Sequence, residues 1–280
     1  MELIATPAGR FTADVAGPPA GPLVLLLHGF PQSRHSWRAQ VPALGAAGFH
    51  AIAPDQRGYS PGVRPDPKDL PAYSIDRLVG DVVDLADTLG AGTFHLVGHD
   101  WGGQVAWCTA ARHPGRVTSL TVLSRPHPAA FRRAFKENAD DQQHRSRHHK
   151  AFHDPSTVAM LLADDAGRLR GTLADAGVPA PSIAEYLSVL GNGEALEAAL
   201  AWYRAAGALA NMEVGPITVP TLYVWGDQDR SVGRSAAEWT AEHVKAPYRF
   251  VPVAGRGHFL TDEVPDLVTQ ALLDQLRRSA

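Results

Sequence analysis

The chain has 280 residues, enough to bury a full core as one large domain or one domain with an insertion. An apolar share of 45% and a charged share of 20% are ordinary for a globular protein, and a net charge of −3 gives no reason to expect nucleic acid or an anionic membrane surface as partner. The single cysteine, Cys108, excludes an internal disulfide and a cysteine-based metal site.

The first residues lack a basic stretch followed by a long apolar core, so no signal peptide is expected and a cytoplasmic setting is. Glu2 to Ala5 and Arg10 to Ala16 read as short strands joined at Pro7-Ala8-Gly9. Leu23 to Leu27 reads as a central strand, too short to span a bilayer, and ends in His28-Gly29-Phe30-Pro31. A helix is predicted from Ser33 to Leu44, then a strand over Phe49 to Ala53 that ends in Asp55-Gln56-Arg57-Gly58-Tyr59-Ser60. Crowded prolines make the next stretch a loop, after which Ser74 is expected to cap a helix through Leu89.

Thr93 to Val97 is apolar and β-branched, a buried strand, and Gln104 to Arg112 reads as a helix. Between them lies Gly98-His99-Asp100-Trp101-Gly102-Gly103, the pattern of a nucleophile elbow, in which a strained turn pushes its central residue out over the end of a sheet. The usual serine is replaced by Asp100. A carboxylate there attacks saturated carbon and leaves an ester on the enzyme, which suits epoxides and alkyl halides. Read blandly, Asp100 is only the N-cap of the following helix.

Val117 to Leu123 is another strand, so strands and helices alternate as in a mostly parallel sheet covered on both faces. That rhythm stops over 124–215, where helical patterns fall at 128–136, 141–153, 156–163, 166–175, 182–190 and 194–209. It resumes with a strand over Thr221 to Trp225, a helix near 236–244, a strand over Tyr248 to Val253 and a helix near 265–277. The expected organisation is a core over 1–123 and 216–280, with 124–215 inserted as a helical cap.

Three strand ends carry chemistry: Asp100, the acidic Gly226-Asp227-Gln228-Asp229, and Gly257-His258. Nucleophile, acid, histidine is the chain order of α/β-hydrolases. On His28-Gly29-Phe30-Pro31, Asp55 to Ser60, Gly98 to Gly103, Gly226 to Asp229 and Gly257-His258, the chain resembles the epoxide hydrolase branch of that superfamily over nearly its whole length. The resemblance implies Asp100 as nucleophile, His258 as general base and Asp229 as the acid that orients it, with Asp227 serving its own loop. It implies an oxyanion hole from the backbone N–H groups of Phe30 and Trp101, and no cofactor or metal. Phe30-Pro31 is a candidate cis bond.

Such enzymes hold the epoxide oxygen with two cap tyrosines. Tyr203, in Ala199-Leu200-Ala201-Trp202-Tyr203-Arg204, resembles one of them. At the other position, four residues before Phe152-His153-Asp154-Pro155, this chain has His148, and Tyr186 is the alternative donor. Trp37 and Trp202 are further candidates for contact with substrate. His144, His148, His149 and His153 carry i, i+4 spacings, but no acidic or cysteine pattern completes a metal site and Arg145, Arg147 and Lys150 repel a cation.

The implied activity is opening of a small hydrophobic epoxide by water to a diol, in a monomer or homodimer. A haloalkane dehalogenase is the nearest rival. Trp101 supplies one halide donor, whereas Phe30 stands where such enzymes have asparagine. A haloacid dehalogenase needs a cation for the substrate carboxylate, for which Arg57 and Arg204 are candidates. The rival from another class is a silent hydrolase-like fold that binds a small ligand.

Overall fold

The structure, a computed structural model, describes residues 1–206 and 213–279. Strands β1 (Glu2–Thr6), β2 (Gly9–Ala16), β3 (Leu23–Leu27), β4 (His50–Pro54), β5 (Phe94–His99), β6 (Val117–Leu123), β7 (Thr221–Gly226) and β8 (Tyr248–Val253) form one eight-stranded sheet. Its order is β1-β2-β4-β3-β5-β6-β7-β8, antiparallel at β1–β2 and β2–β4 and parallel elsewhere. Every residue of β3, β4, β5 and β7 is buried, as a sheet covered on both faces requires.

Alternation along β3 shows how the faces are filled. Leu23, Leu25 and Leu27 join a cluster with Leu78, Val82, Val105 and Ala106, from α2 (Ile75–Thr88) and α3 (Trp101–Arg112). Val24 and Leu26 point the other way, into a cluster with Val41 and Leu44 of α1 (Gln40–Ala46) and Val268 and Leu272 of α12 (Pro265–Arg278). The sheet is thus a layer between two pairs of helices.

Helices α4 (Pro128–Glu137), α5 (Gln142–Arg145), α6 (Arg147–Ala151), α7 (Thr157–Asp175), α8 (Ala180–Leu190) and α9 (Gly193–Ala205) lie between β6 and β7. Among the described residues, 124–215 contain no strand. The helices expected over 156–163 and 166–175 meet in α7, whose backbone leaves helical geometry at Ala163, Asp164, Asp165 and Ala166. Asn192 caps α9 by accepting from the Ala195 N–H at 2.9 Å. The expected extension of this helix over 207–209 lies outside the described residues. Leu196, Leu200 and Tyr203 of α9 are buried in the same cluster as α2 and α3, so this region shares the apolar core of the sheet domain.

Three local expectations change. The helix predicted from Ser33 to Leu44 is a 3-10 turn, Arg34–Trp37, followed by α1. Pro42 explains the break, since within one long helix its ring would clash with the carbonyl one turn earlier, whereas in the first turn of α1 it is tolerated. The helix near 236–244 is α10 (Arg234–Trp239) followed by a 3-10 turn over Thr240–His243. Ser74 stands at the N-cap of α2, yet its side chain makes no capping bond. Short α11 (Leu260–Glu263), just after His258, was not anticipated. Among the described residues no helix is long and apolar enough to cross a membrane.

Candidate active site

Strand β5 ends at His99 and α3 begins at Trp101, which leaves Asp100 alone in the turn with φ 50° and ψ −117°. That is strained backbone for any residue with a side chain. Tight packing enforces it: a Cβ on Gly98 would lie 2.3 Å from the Gly102 carbonyl oxygen, and one on Gly102 would lie 2.2 Å from that of Leu27. Asp100 stands at the N-cap of α3, but its side chain makes no capping bond. Its Oδ1 instead accepts the backbone N–H of Phe30 at 3.0 Å. Gly29 leaves room for this, because a Cβ there would come within 2.4 Å of the Asp100 Cβ. The Phe30-Pro31 bond is cis.

His258 faces this carboxylate, with Nε2 3.6 Å from the Asp100 Oδ2 and Nδ1 2.8 Å from the Asp229 Oδ2. Asp229 is fixed in turn, because its Oδ1 accepts the backbone N–H groups of Ser231 at 2.7 Å and Val232 at 3.0 Å. Asp227 lies outside the site and accepts the Gly255 N–H at 2.7 Å. Sequence reasoning missed what holds His258 from behind. The His99 ring and the Ser124 hydroxyl each meet its carbonyl oxygen at 2.8 Å, and Glu263 accepts the N–H groups of Gly257 at 2.8 Å and Phe259 at 3.1 Å. The acid at Glu263, so soon after His258, was the one available signal.

The charges in this cluster support each other. Burial opposes the charge on His258, but Asp229 and Asp100 outweigh it and raise its pKa from 6.5 to about 10. Burial likewise opposes ionisation of Asp100, yet the hydrogen bond and charge of His258 hold its pKa well below the usual carboxylate range. A folded-state pKa raised above the unfolded value stabilises the fold fully below pH 6.5 and loses that effect as pH rises through about 10. The stability advantage of the wild type over His258→Gln is therefore expected to be largest below pH 6.5 and to shrink towards pH 10, as urea denaturation of both proteins would record. A difference that grows over that range contradicts a charged His258.

Across from Asp100, Tyr203 is 5% exposed and edged by the rings of Phe152 at 4.8 Å, Trp101 at 5.1 Å, His149 at 5.2 Å, Phe30 at 5.6 Å and His148 at 6.2 Å. Burial first, and then the Asp100 charge, raise its phenol pKa far above 10, while hydrogen bonding from the Trp101 indole pulls the other way. The phenol is a proton donor at neutral pH. Burial also lowers the His148 pKa, and a neutral imidazole still carries one N–H to donate. Trp202 packs on Trp101 at 5.7 Å while its indole N–H is held by the Arg57 carbonyl at 3.0 Å.

Other sequence candidates lie elsewhere. The Tyr186 hydroxyl donates to Asp262 at 2.7 Å and accepts from Gln32 at 3.3 Å, a buried network that Arg38 joins through Asp262. It is therefore not a free donor. Trp37 is fully buried in the layer with Val24, Leu26 and α12, on the sheet face opposite α3, so a substrate does not reach it. Arg57 is paired with Asp81 through two bonds, and Arg204 is held by Glu197 and the Phe152 carbonyl, with its Nη2 buried and unpartnered, so each guanidinium already has a counter-ion of its own. Among the described residues no group of three or more His, Cys, Asp or Glu side chains is placed to hold a metal ion.

Residues 22–265 match the family described as the alpha/beta hydrolase fold. The chain is 34% identical to Epoxide hydrolase A of Mycobacterium tuberculosis, over 98% of this chain and 96% of that protein. It is 33% identical to the AB hydrolase superfamily protein YfhM of Bacillus subtilis, over 94% and 92% of the two. Its structure superposes on a crystal structure of the Bacillus megaterium epoxide hydrolase in complex with an inhibitor with a TM-score of 0.89, at 28% identity, covering 99% of this chain and all of that one.

Proposed function

Because the chain belongs to the α/β-hydrolase fold family and resembles its epoxide hydrolases throughout, we propose that Asp100, His258, Asp229, Tyr203 and His148 open an epoxide to a vicinal diol in two covalent steps. The observation that carries this is the Asp100 carboxylate, with Oδ1 on the Phe30 N–H and Oδ2 turned to His258.

In the first step the Asp100 Oδ2 attacks an epoxide carbon, the carbon–oxygen bond breaks, and its electron pair goes to the ring oxygen. Tyr203 gives that oxygen a proton, and His148 supports it with a hydrogen bond. Asp100 is then an ester and has lost its charge. With one of its two carboxylate neighbours neutralised, the imidazolium of His258 is easier to deprotonate, and its proton replaces the one that Tyr203 gave up. In the second step neutral His258 takes a proton from water, and the hydroxide adds to the ester carbonyl carbon. The developing oxyanion sits where Oδ1 lies now, on the Phe30 N–H, and the Trp101 N–H serves as its second donor. Collapse expels the second oxygen of the diol as an alkoxide, which takes the proton that His258 holds, and the restored Asp100 carboxyl passes its own proton back to His258. Asp229 holds the tautomer and supports the imidazolium throughout.

Helices α4–α9 act as the cap that brings Tyr203 and His148 over the elbow and shields the site from bulk solvent. The reading places the enzyme in the cytoplasm, as a monomer or homodimer, with no cofactor required by these steps.

Removing one preorganised donor costs roughly 10²–10³ in rate. Tyr203→Phe is therefore expected to slow ester formation from styrene oxide by about that factor, with a smaller loss for His148→Ala. The same Tyr203 change should barely alter alkylation by a matched alkyl halide, which leaves no alkoxide to protonate. Pre-steady-state rates on both substrates, with diol and halide measured, test the assignment. Halide release without diol formation overturns it.

A further inference from the structure

Arg125 stands two residues after the end of β6, and the mechanism above does not use it. Its stem lies on the first turn of α3, so close that a Cβ on Gly103 would stand 2.9 Å from the Arg125 Cβ. Its head makes two hydrogen bonds, from Nε at 3.1 Å and Nη2 at 2.8 Å, both to one oxygen of Gln104. The guanidinium is stacked 4.4 Å from the Phe131 ring centre and 6.0 Å from that of Trp101. It lies within electrostatic reach of Asp100, Tyr203 and His148, the groups that border the reacting carbon.

This placement opposes what stability alone would select. Burial weighs against the charge, the N-terminal end of α3 repels a cation, and among the described residues no carboxylate forms an ion pair with it. Arg57 and Arg204 show the ordinary solution, each held by a carboxylate of its own. The Arg125 fork is satisfied on one edge only, and it remains half-buried.

We propose that Arg125 is a substrate-recognition residue for an epoxide that carries a carboxylate close to its ring, the open edge of the guanidinium receiving that carboxylate while Asp100 attacks the oxirane carbon. This inference rests on the epoxide-opening reading given above. One planar fork matches one carboxylate. A phosphate would call for a second cation, and burial keeps the nearby His148 and His149 neutral. An acidic substrate must also approach the anionic Asp100, and Arg125 offsets that repulsion from the side of α3.

The test compares kcat/KM for glycidate, its neutral isostere glycidamide, and styrene oxide as a reference. The wild type should prefer glycidate to glycidamide. In Arg125→Met that preference should fall by about 10²-fold, the size expected for a lost hydrogen-bonded charge contact. Taking the ratio cancels any change in Asp100 itself, which both substrates share. Arg125→Lys keeps the charge without the fork and should give an intermediate ratio. A wild type that does not prefer glycidate overturns the proposal, as does an Arg125→Met ratio equal to that of the wild type. If Arg125→Met does not fold, inhibition of the wild type decides: glycerate should compete with glycidamide at concentrations where glyceramide does not, and equal inhibition overturns the proposal. Styrene oxide separates the two readings. If it is hydrolysed without any glycidate preference, only the role of Arg125 falls; if no epoxide is opened, the function itself does.

Discussion

Asp100→Ala should lose turnover by about 10⁴-fold or more, the scale seen when the nucleophile of a covalent hydrolase is removed. The fold should survive, because the side chain projects from the turn; its loss leaves the Phe30 N–H without a partner and His258 paired with Asp229 alone. Alanine at φ 50° inherits the backbone strain, whereas glycine does not. Asp100→Gly should therefore be equally inactive yet more stable to urea than Asp100→Ala. An active alanine variant would remove Asp100 from the mechanism. Equal stability of the two variants would mean that the turn is not strained.

The same substitution reads out the electrostatics. Asp229 and Asp100 together hold the His258 pKa at about 10 against burial. With Asp100 gone, the imidazole should titrate lower, which NMR of the ring resonances would follow. An unchanged titration would show that Asp229 alone keeps His258 charged.

The elbow and the Asp229–His258 pair were legible because their chemistry is written locally. Gly98 and Gly102 are forced by backbone contacts at 2.3 and 2.2 Å, and such glycines mark the turn whatever surrounds it. Asp229 and His258 follow strands whose apolar runs fix their ends. The central strands β3 and β7 are legible almost to the residue, because burial on both faces leaves an unbroken apolar signature.

What stayed hidden depends on partners distant in sequence. Tyr186 has the right residue type, but Asp262, 76 positions away, takes its hydroxyl. Trp37 could face either side of the sheet, and the Pro42 break turns it into the layer with α12. The His258 carbonyl is held by groups 159 and 134 positions earlier, which no local pattern connects. Arg57 and Arg204 look like free clamps in the sequence because it shows a cation without its counter-ion; Asp81 and Glu197 supply them.

His258→Gln should separate the two steps. Attack on the epoxide needs only the Asp100 carboxylate and the cap donors, while release of the ester needs a base for water. The variant should consume one equivalent of epoxide and stop, and hydrolysis of the ester should fall by about 10⁴-fold or more. Intact-protein mass should rise by the full mass of the epoxide, since ring opening expels nothing; an adduct from an alkyl halide would lack the halogen. Proteolysis should place the adduct on the peptide containing Asp100. The measurement belongs above neutral pH, because removing His258 removes the strongest influence that holds the Asp100 pKa down, and burial then raises it. In the wild type, a single turnover in ¹⁸O-water should put the label into the Asp100 carboxylate, because hydroxide adds to the ester carbonyl and not to the substrate carbon. Label found first in the diol, or a His258→Gln protein that stays unmodified under saturating epoxide, would replace the covalent route with direct attack by water. In that case Asp100 would act as a base and His258 as its partner, and the position of Oδ1 on the Phe30 N–H would have no oxyanion to serve.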